Sequence, residues 1–311
     1  MLFSCHCHCA APTHCTHEHC YPALLYTHPT PLLAFHQTPY LHPSTPTFLD
    51  RISMAIGQAN GAAETNGKPP GLAAFRIFVG YDSREDAAFQ VCRHSLLRRS
   101  SVPLEVIPLK QAELRAAGLY TRGRGATEST EFSFTRFLTP FLAGYQGWAM
   151  FVDCDFLFTA DVAELSAMAD DRYAVMCVHH DYAPKEGVKM DGVPQTVYPR
   201  KNWSSMVLYN CAHPKNRALT PELVSAESGA FLHRFMWLDD DDVGELPVAW
   251  NFLVGHNRVD PTDPKTQPKA IHYTSGGPWF EAYRDCEFGD LWLKELEELN
   301  DEKQQQQPVE L

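Results

Sequence analysis

Asp153 and Asp155 stand one residue apart at the end of the run Trp148-Ala-Met-Phe-Val152, a spacing suited to holding a cation. On an extended segment, side chains at i and i+2 point the same way, so both carboxylates can reach one ion. Carboxylate oxygens favour a hard divalent ion, which can in turn hold the phosphates of a nucleotide. An Asp-x-Asp pair alone is a weak signal, because Asp239 and Asp241 supply another within Asp239-Asp-Asp-Asp242. What distinguishes the first pair is the apolar run before it, bounded by Gly147, which reads as a strand buried on both faces. Ligands of open α/β sheets bind beyond the carboxyl ends of the strands, where this pair falls.

The elements around the pair support such a sheet. Phe75 to Val79 is a strand, Gly80-Tyr81-Asp82 turns out of it, and Ser83 with Asp86 resembles a cap for a helix carrying Ala88, Val91, Cys92 and Leu96. Leu104 to Leu109 is a second strand, and together these form a β-α-β start, which implies a right-handed crossover and parallel strands. Residues 118–129 form a loop. The next helix places Phe134, Phe137, Leu138, Phe141 and Leu142 on one face, with Arg136 opposite at 100° per residue and therefore solvated. Asp161 with Glu164 caps a helix to about Ala169, and Tyr173 to Val178 is a strand ending in His179-His180-Asp181. Residues 182–202 are an irregular excursion before a strand from Ser204 to Tyr209. Thr220-Pro221 opens a helix, and Ala270 to Tyr273 is a last strand leading to Ser275-Gly276-Gly277. The alternation indicates one α/β domain over residues 73–300.

Composition narrows the partners. The 311 residues are 44% hydrophobic with a net charge of −12 and carry no basic stripe, so a polynucleotide partner is not expected, while a single nucleotide held through a metal is. Residues 1–72 are a His-Cys-Pro-rich segment and linker, expected to be disordered, with Met54 expected as the biological start. Cys5, Cys7, Cys9, Cys15 and Cys20 are interleaved with histidines there, a composition that can bind zinc or copper but matches no recognised finger spacing. Lys and Arg are absent before Arg51, so no signal peptide is read there. The later cysteines, Cys92, Cys154, Cys177, Cys211 and Cys286, suggest free thiols in a reducing, cytoplasmic setting. No transmembrane segment is read, and residues 301–311 are expected to be a disordered tail.

A strand-end Tyr-Asp, an Arg-bearing helix, the Asp-x-Asp and a late His-Tyr-x-x-Gly-Gly-Pro-Trp occur in that order. The order resembles the nucleotide-sugar glycosyltransferases of the GT-A fold, most closely the family 8 type that includes glycogenin and bacterial galactosyltransferases. The resemblance covers roughly residues 75–285 and is strongest from Phe134-Thr-Arg136 to Asp155, followed by Asp161-Val-Ala-Glu-Leu165. It implies a single Rossmann-like domain with a mixed central sheet. It also implies a metal-dependent hexosyltransferase that moves a sugar from a nucleotide-sugar, in first place a UDP-sugar, to a hydroxyl of a glycan, lipid or protein, with retention of configuration. Asp153, Asp155 and His272 would hold Mn²⁺ or Mg²⁺, and the imidazole tilts the choice to Mn²⁺. Gly80, Tyr81 and Asp82 would lie against base and ribose, Arg136 against diphosphate or sugar, and Cys154, Asn202, Gly276 and Gly277 would complete the donor site. Asp241 or Asp242 would stand near the reacting carbon. The family's late lysine is replaced here by Ser275-Gly276-Gly277, which leaves the metal, Arg136 and a loop residue such as Arg122, Arg124 or Lys201 to neutralise the diphosphate. Two other readings remain open: a non-catalytic GT-A-like nucleotide-binding protein, and a metal-dependent nucleotidyltransferase.

Overall fold

The continuous apolar runs become the centre of a six-stranded sheet. A computed structural model describes residues 74–125, 128–181, 187–188, 194–195 and 199–305. The chain divides into Met1–Thr45 and Pro46–Leu311, and all described residues belong to the second unit. The expectations placed on residues 1–72 and 306–311, including the Cys/His tract and Met54, lie outside the described residues.

Strand β1 (Phe75–Tyr81) is followed by helix α1 (Asp86–Arg99), β2 (Leu104–Lys110) and the short α2 (Gln111–Ala116). A 3-10 turn at Thr135–Leu138 and α3 (Thr139–Leu142) lead into β3 (Trp148–Val152), then β4 (Phe156–Phe158), α4 (Val162–Ser166) and β5 (Val175–Cys177). β6 (Gly187–Val188) and β7 (Pro194–Gln195) form a small antiparallel pair within the excursion. Next come β8 (Met206–Asn210), α5 (Pro221–Ala226), α6 (Gly229–His233), β9 (Val243–Glu245), β10 (Phe252–Leu253), β11 (Ala270–His272) and α7 (Gly289–Gln305).

The large sheet has the order β2-β1-β3-β8-β5-β9, and a second sheet has the order β10-β11-β4. β1 pairs in parallel with both β2 and β3, as the β-α-β reading required. β8 runs antiparallel between β3 and β5, which makes the sheet mixed. Ala149 to Val152 and all five residues of β8 are buried, so these strands read as unbroken apolar runs. Asp161 caps α4 by accepting from Ala163 N–H, and Thr220 caps α5 by accepting from Leu223 N–H. Cys92, Cys154, Cys177, Cys211 and Cys286 are all free thiols.

The second sheet is covered by α7, whose Trp292 and Leu299 pack with Val91, Leu157, Ile271 and Tyr273. The helix continues through Gln305, five residues into the segment read as tail. Burial of Trp292 and Leu299 on one face carries it past the polar composition that suggested an end. No described helix is long and apolar enough to cross a membrane.

Candidate functional site

The two sheets meet at the aspartate pair. Beyond β3, Asp153 N–H donates to the Ser205 carbonyl at 2.8 Å, tying the pair to the start of β8. The chain does not stay extended: it turns through Cys154 and Asp155 into β4, and Tyr273 N–H then donates to the Asp155 carbonyl at 3.0 Å. β4 is antiparallel to β11, with Phe156 opposite His272, and the two rings stack at 4.3 Å between centroids. Register alone therefore brings a histidine from over a hundred residues away to the second aspartate.

Asp153, Asp155 and His272 each offer a ligand atom, and all three atoms lie within 4.8 Å of one another. His272 Nε2 is 3.3 Å from Asp155 Oδ2. Neighbouring ligands of an octahedral ion with bonds of about 2.1 Å stand about 3 Å apart, so the spacing fits shared coordination. Two carboxylates and an imidazole are a donor set able to hold a divalent cation.

Arg136 is where the helical wheel fails. Thr135–Leu138 winds as a 3-10 turn with three residues per turn, and all four residues are buried, Arg136 included. Its Nη1 is 2.8 Å from Asp153 Oδ1 and donates to the Ser204 carbonyl at 2.8 Å, while Nε donates to the Phe132 carbonyl at 3.3 Å. The guanidinium lies against the rings of Phe132 and Phe151. It is a buried countercharge beside the pair and not a solvated surface residue.

The remaining expected residues divide. Gly276, with φ of +117°, and Gly277 form the turn that leaves β11 just past His272; a Cβ on Gly277 would meet Trp279 at 2.1 Å, so the close packing of this turn requires glycine. Asn202, in the left-handed region at φ 66°, opens the turn into β8 on the same edge, and its buried Nδ2 has no hydrogen-bond partner. Gly80 packs so tightly that a Cβ would meet the Phe132 ring at 2.5 Å, and the half-buried Tyr81 donates its hydroxyl to Asp86 at 2.9 Å.

Asp82 does not face a ligand. It is fully buried, and its oxygens accept from Arg84 N, Nε and Nη2 and from Glu131 N–H. Burial opposes its ionisation, yet Arg84 and these N–H groups hold its carboxyl below the usual range. Its role is to fasten the segment after the 118–129 loop. Cys154 likewise points inward, donating to Glu85 Oε2 at 3.3 Å, so its side chain offers nothing to a donor. Arg122 donates to the Glu227 carbonyl and lies over the Phe134 ring.

Asp241 and Asp242 are misplaced for chemistry at the pair. Met206 at the start of β8 pairs with Val152, Tyr209 near its end pairs with Val175, and Val175 pairs with Val243. Asp242 directly precedes Val243, and its carbonyl accepts from Ala174 N–H at 2.9 Å. The acidic turn therefore sits at the edge where β5 and β9 begin, opposite the edge where β3 ends. Lys215 Nζ binds Asp239 at 2.6 Å and Asp242 at 2.5 Å, and Asp242 Oδ2 accepts from Asp239 N–H, so the turn is a braced cap for β9.

Three residues at the site gave no signal of their own in the sequence. Asn251 is fully buried and its Oδ1 meets His272 Nδ1 at 2.9 Å. His180, hydrogen-bonded to Asn251, is pushed down to about 3 by burial and by the nearby His272, so it is neutral. Glu85 is 3% exposed, and burial, then the charge of Asp155, push its carboxyl up to about 7. A carboxyl raised in the folded state adds stability that is complete below about pH 4.5 and is lost as pH rises through about 7. In metal-free buffer, Glu85→Gln should flatten the fall in thermal stability between pH 5 and 8, a difference of about 3 kcal/mol at the upper end. Parallel pH profiles of wild type and variant would refute the burial argument.

No protein-family model matches the chain. Among solved structures, the bifunctional glycosyltransferase WbbM in its apo form aligns with a TM-score of 0.52 at 17% identity, over 75% of this chain and 52% of its own. The glycosyltransferase GlyE of Streptococcus pneumoniae TIGR4 aligns at 0.50 and 15% identity, over 77% of this chain and 66% of its own. The chain thus spans about half to two thirds of these proteins, and the likeness establishes the GT-A fold. Protein CDI of Arabidopsis thaliana is 64% identical over 247 residues, which are 79% of this chain and 93% of that protein. A match of that depth across nearly the whole relative makes this chain a member of the Protein CDI family.

Proposed function

We propose that the chain is a metal-dependent glycosyltransferase that moves a sugar from a nucleotide-sugar, in first place a UDP-sugar, to an acceptor hydroxyl with retention of configuration. The observation that carries this reading is the convergence of Asp153, Asp155 and His272 within 4.8 Å at the strand-end edge of a GT-A sheet. Asp153 and Asp155 would hold the ion from the β3 side and His272 from β11. A divalent ion there, Mn²⁺ before Mg²⁺, would supply an electrophile for the charge that grows on the leaving diphosphate.

This chain's own residues set the conditions. Arg136 offsets part of the negative charge of Asp153 and, with Nη1 and Nε committed to the protein, has Nη2 left for a donor oxygen. Asn202 Nδ2, buried without a partner, is suited to a sugar hydroxyl. The turn at Gly276-Gly277, whose glycines are required by the packing of Tyr283 and Trp279, would stand beside the diphosphate just past His272. Cys154 and Asp82 act from behind, as a buried spacer and a loop clamp.

One observation favours a second reading. The acidic turn lies at the far edge, so Asp241 and Asp242 supply no carboxylate to the reacting carbon, as in a domain that binds nucleotide-sugar without turnover. Release of UDP from a panel of UDP-sugars, with Mn²⁺ and after chelation, separates the two. The transferase reading expects Mn²⁺-dependent release from at least one donor; saturable donor binding with no release at any Mn²⁺ concentration would favour the binding protein.

A further inference from the structure

The hydrogen bonds behind His272 have a direction, and the direction can be read from one end. The Asn202 carbonyl can only accept, so the Ser205 hydroxyl donates its single proton to it, at 2.6 Å. Ser205 Oγ can then only accept from Asn251, whose Nδ2 lies 2.9 Å away. That turns the Asn251 amide so that Oδ1 faces His272 Nδ1 at 2.9 Å, and Nδ1 must carry the proton. A neutral imidazole protonated at Nδ1 keeps its lone pair at Nε2, the atom 3.3 Å from Asp155. Asn251 is fully buried and Ser205 is 3% exposed, so water does not compete for these bonds.

We infer that Asn251 is a positioning residue for the metal centre: with Ser205 and the Asn202 carbonyl, it fixes the His272 tautomer and ring so that Nε2 is ready to ligate. The inference rests on the reading of Asp153, Asp155 and His272 as a cation site. The stacked Phe156 ring limits tilt, and the amide prevents the ring flip that would bury the lone pair against protein. The backbone clamp between Asp153 and Ser205 couples the same relay to the first aspartate, so the relay spans both sheets. Outer partners of ligating histidines commonly hold about 10- to 100-fold of metal affinity.

The test is Mn²⁺ affinity of the full chain, followed by water-proton relaxation, in wild type, Asn251→Ala, Asn251→Asp and Ser205→Ala. Asn251→Ala is expected to weaken Mn²⁺ binding about 10- to 100-fold. Asn251→Asp keeps an acceptor facing Nδ1 and should restore affinity to within about threefold of wild type, whereas a general packing role would not be rescued by adding a buried charge. Ser205→Ala removes the hydroxyl that orients the amide and gives a smaller loss, which keeps the test intact if Asn251→Ala does not fold. A second readout needs no metal. In an Asp155→Ala background at pH 8.5, long-range ¹H–¹⁵N correlation should show His272 protonated at Nδ1, and this preference should vanish when Asn251→Ala is added. Unchanged affinity in both Asn251→Ala and Ser205→Ala, or a His272 tautomer indifferent to Asn251, overturns the inference. Failure of wild type to bind Mn²⁺ instead sinks the metal reading, and the tautomer measurement still decides the role of Asn251.

Discussion

Asp155→Asn should leave the protein folded and reduce Mn²⁺-dependent release of UDP from its best donor by about 10³-fold or more. The side chain keeps its shape but loses the charge that, with Asp153, would hold the proposed cation. An electrophile that stabilises leaving-group charge contributes several kcal/mol, and each 1.36 kcal/mol is tenfold in rate. Folding should not suffer, because the bond that anchors this position uses the Asp155 carbonyl and Tyr273 N–H, which the substitution spares. Stability in metal-free buffer should even rise slightly near neutral pH. The Asp155 charge is one cause of the raised Glu85 carboxyl, and its removal relieves repulsion on that buried acid. Asp242→Asn supplies the contrast: it breaks the Lys215 brace at the far edge and should alter stability while leaving turnover within about twofold. Turnover by Asp155→Asn within tenfold of wild type, or a catalytic collapse in Asp242→Asn, would reverse the assignment of the two acidic clusters.

These two clusters also show how far the sequence could be read. Asp153 and Asp155 were legible because a fully buried strand precedes them, and the pattern of five apolar residues is a direct consequence of neighbours on both faces. Asp239 to Asp242 carry more charge, but their meaning depends on which end of a three-residue strand they precede. That follows from β9 running parallel to β5, and β5 antiparallel to β8, which is pairing information that no local pattern contains. Periodicity alone puts Arg136 in solvent, and only the resemblance places it at the donor. The reason is geometric: the 100° period does not hold in a 3-10 turn, and two or three residues are enough to rotate the side chain from solvent to core. The helix caps at Asp161 and Thr220 were legible because a cap is a contact over two or three residues. His272 was reached through resemblance, and the structure explains the resemblance by the cross-strand pair Phe156–His272. Asn251 and Glu85 gave no sign because their chemistry comes from burial and from partners distant in sequence. An Asn after Trp250 or a Glu at the start of a helix is otherwise unremarked, and only the three-dimensional neighbourhood makes the one a relay and the other a strained acid.

Glu295→Ala should cost about 3–5 kcal/mol and lower the melting temperature by about 6–15 °C, the largest stability loss expected of a single polar substitution in this chain. Glu295 lies on α7 and is 2% exposed, with Oε1 2.6 Å from His94 Nδ1 and Oε2 2.6 Å from Arg99 Nη2, both on α1. Arg98, at the same end of α1, binds Glu298 one turn further along α7. Removing the carboxylate takes the Nδ1 partner from a buried imidazole and the Nη2 partner from a half-buried guanidinium together, and the groups left under-compensated dominate the loss, not the net strength of the pair. The consequence reaches the candidate site by a traceable route. α7 covers β11 through Trp292, Ile271 and Tyr273, and β11 carries His272. Loosening α7 should therefore weaken Mn²⁺ affinity as well as stability, whereas Glu298→Ala, which breaks the more exposed pair, should change either by less than about 1 kcal/mol. Burial opposes ionisation of Glu295, but Arg99 and His94 hold its carboxyl below the usual range. A depressed carboxyl contributes stability that is present above the ordinary carboxylate range near pH 4.5 and is lost as pH falls through the folded value. Wild type and Glu295→Ala should thus converge in stability as acidification goes below the ordinary carboxylate range and diverge above it. A constant difference across that range, measured by thermal melts, would mean that the carboxylate charge is not what joins the two helices.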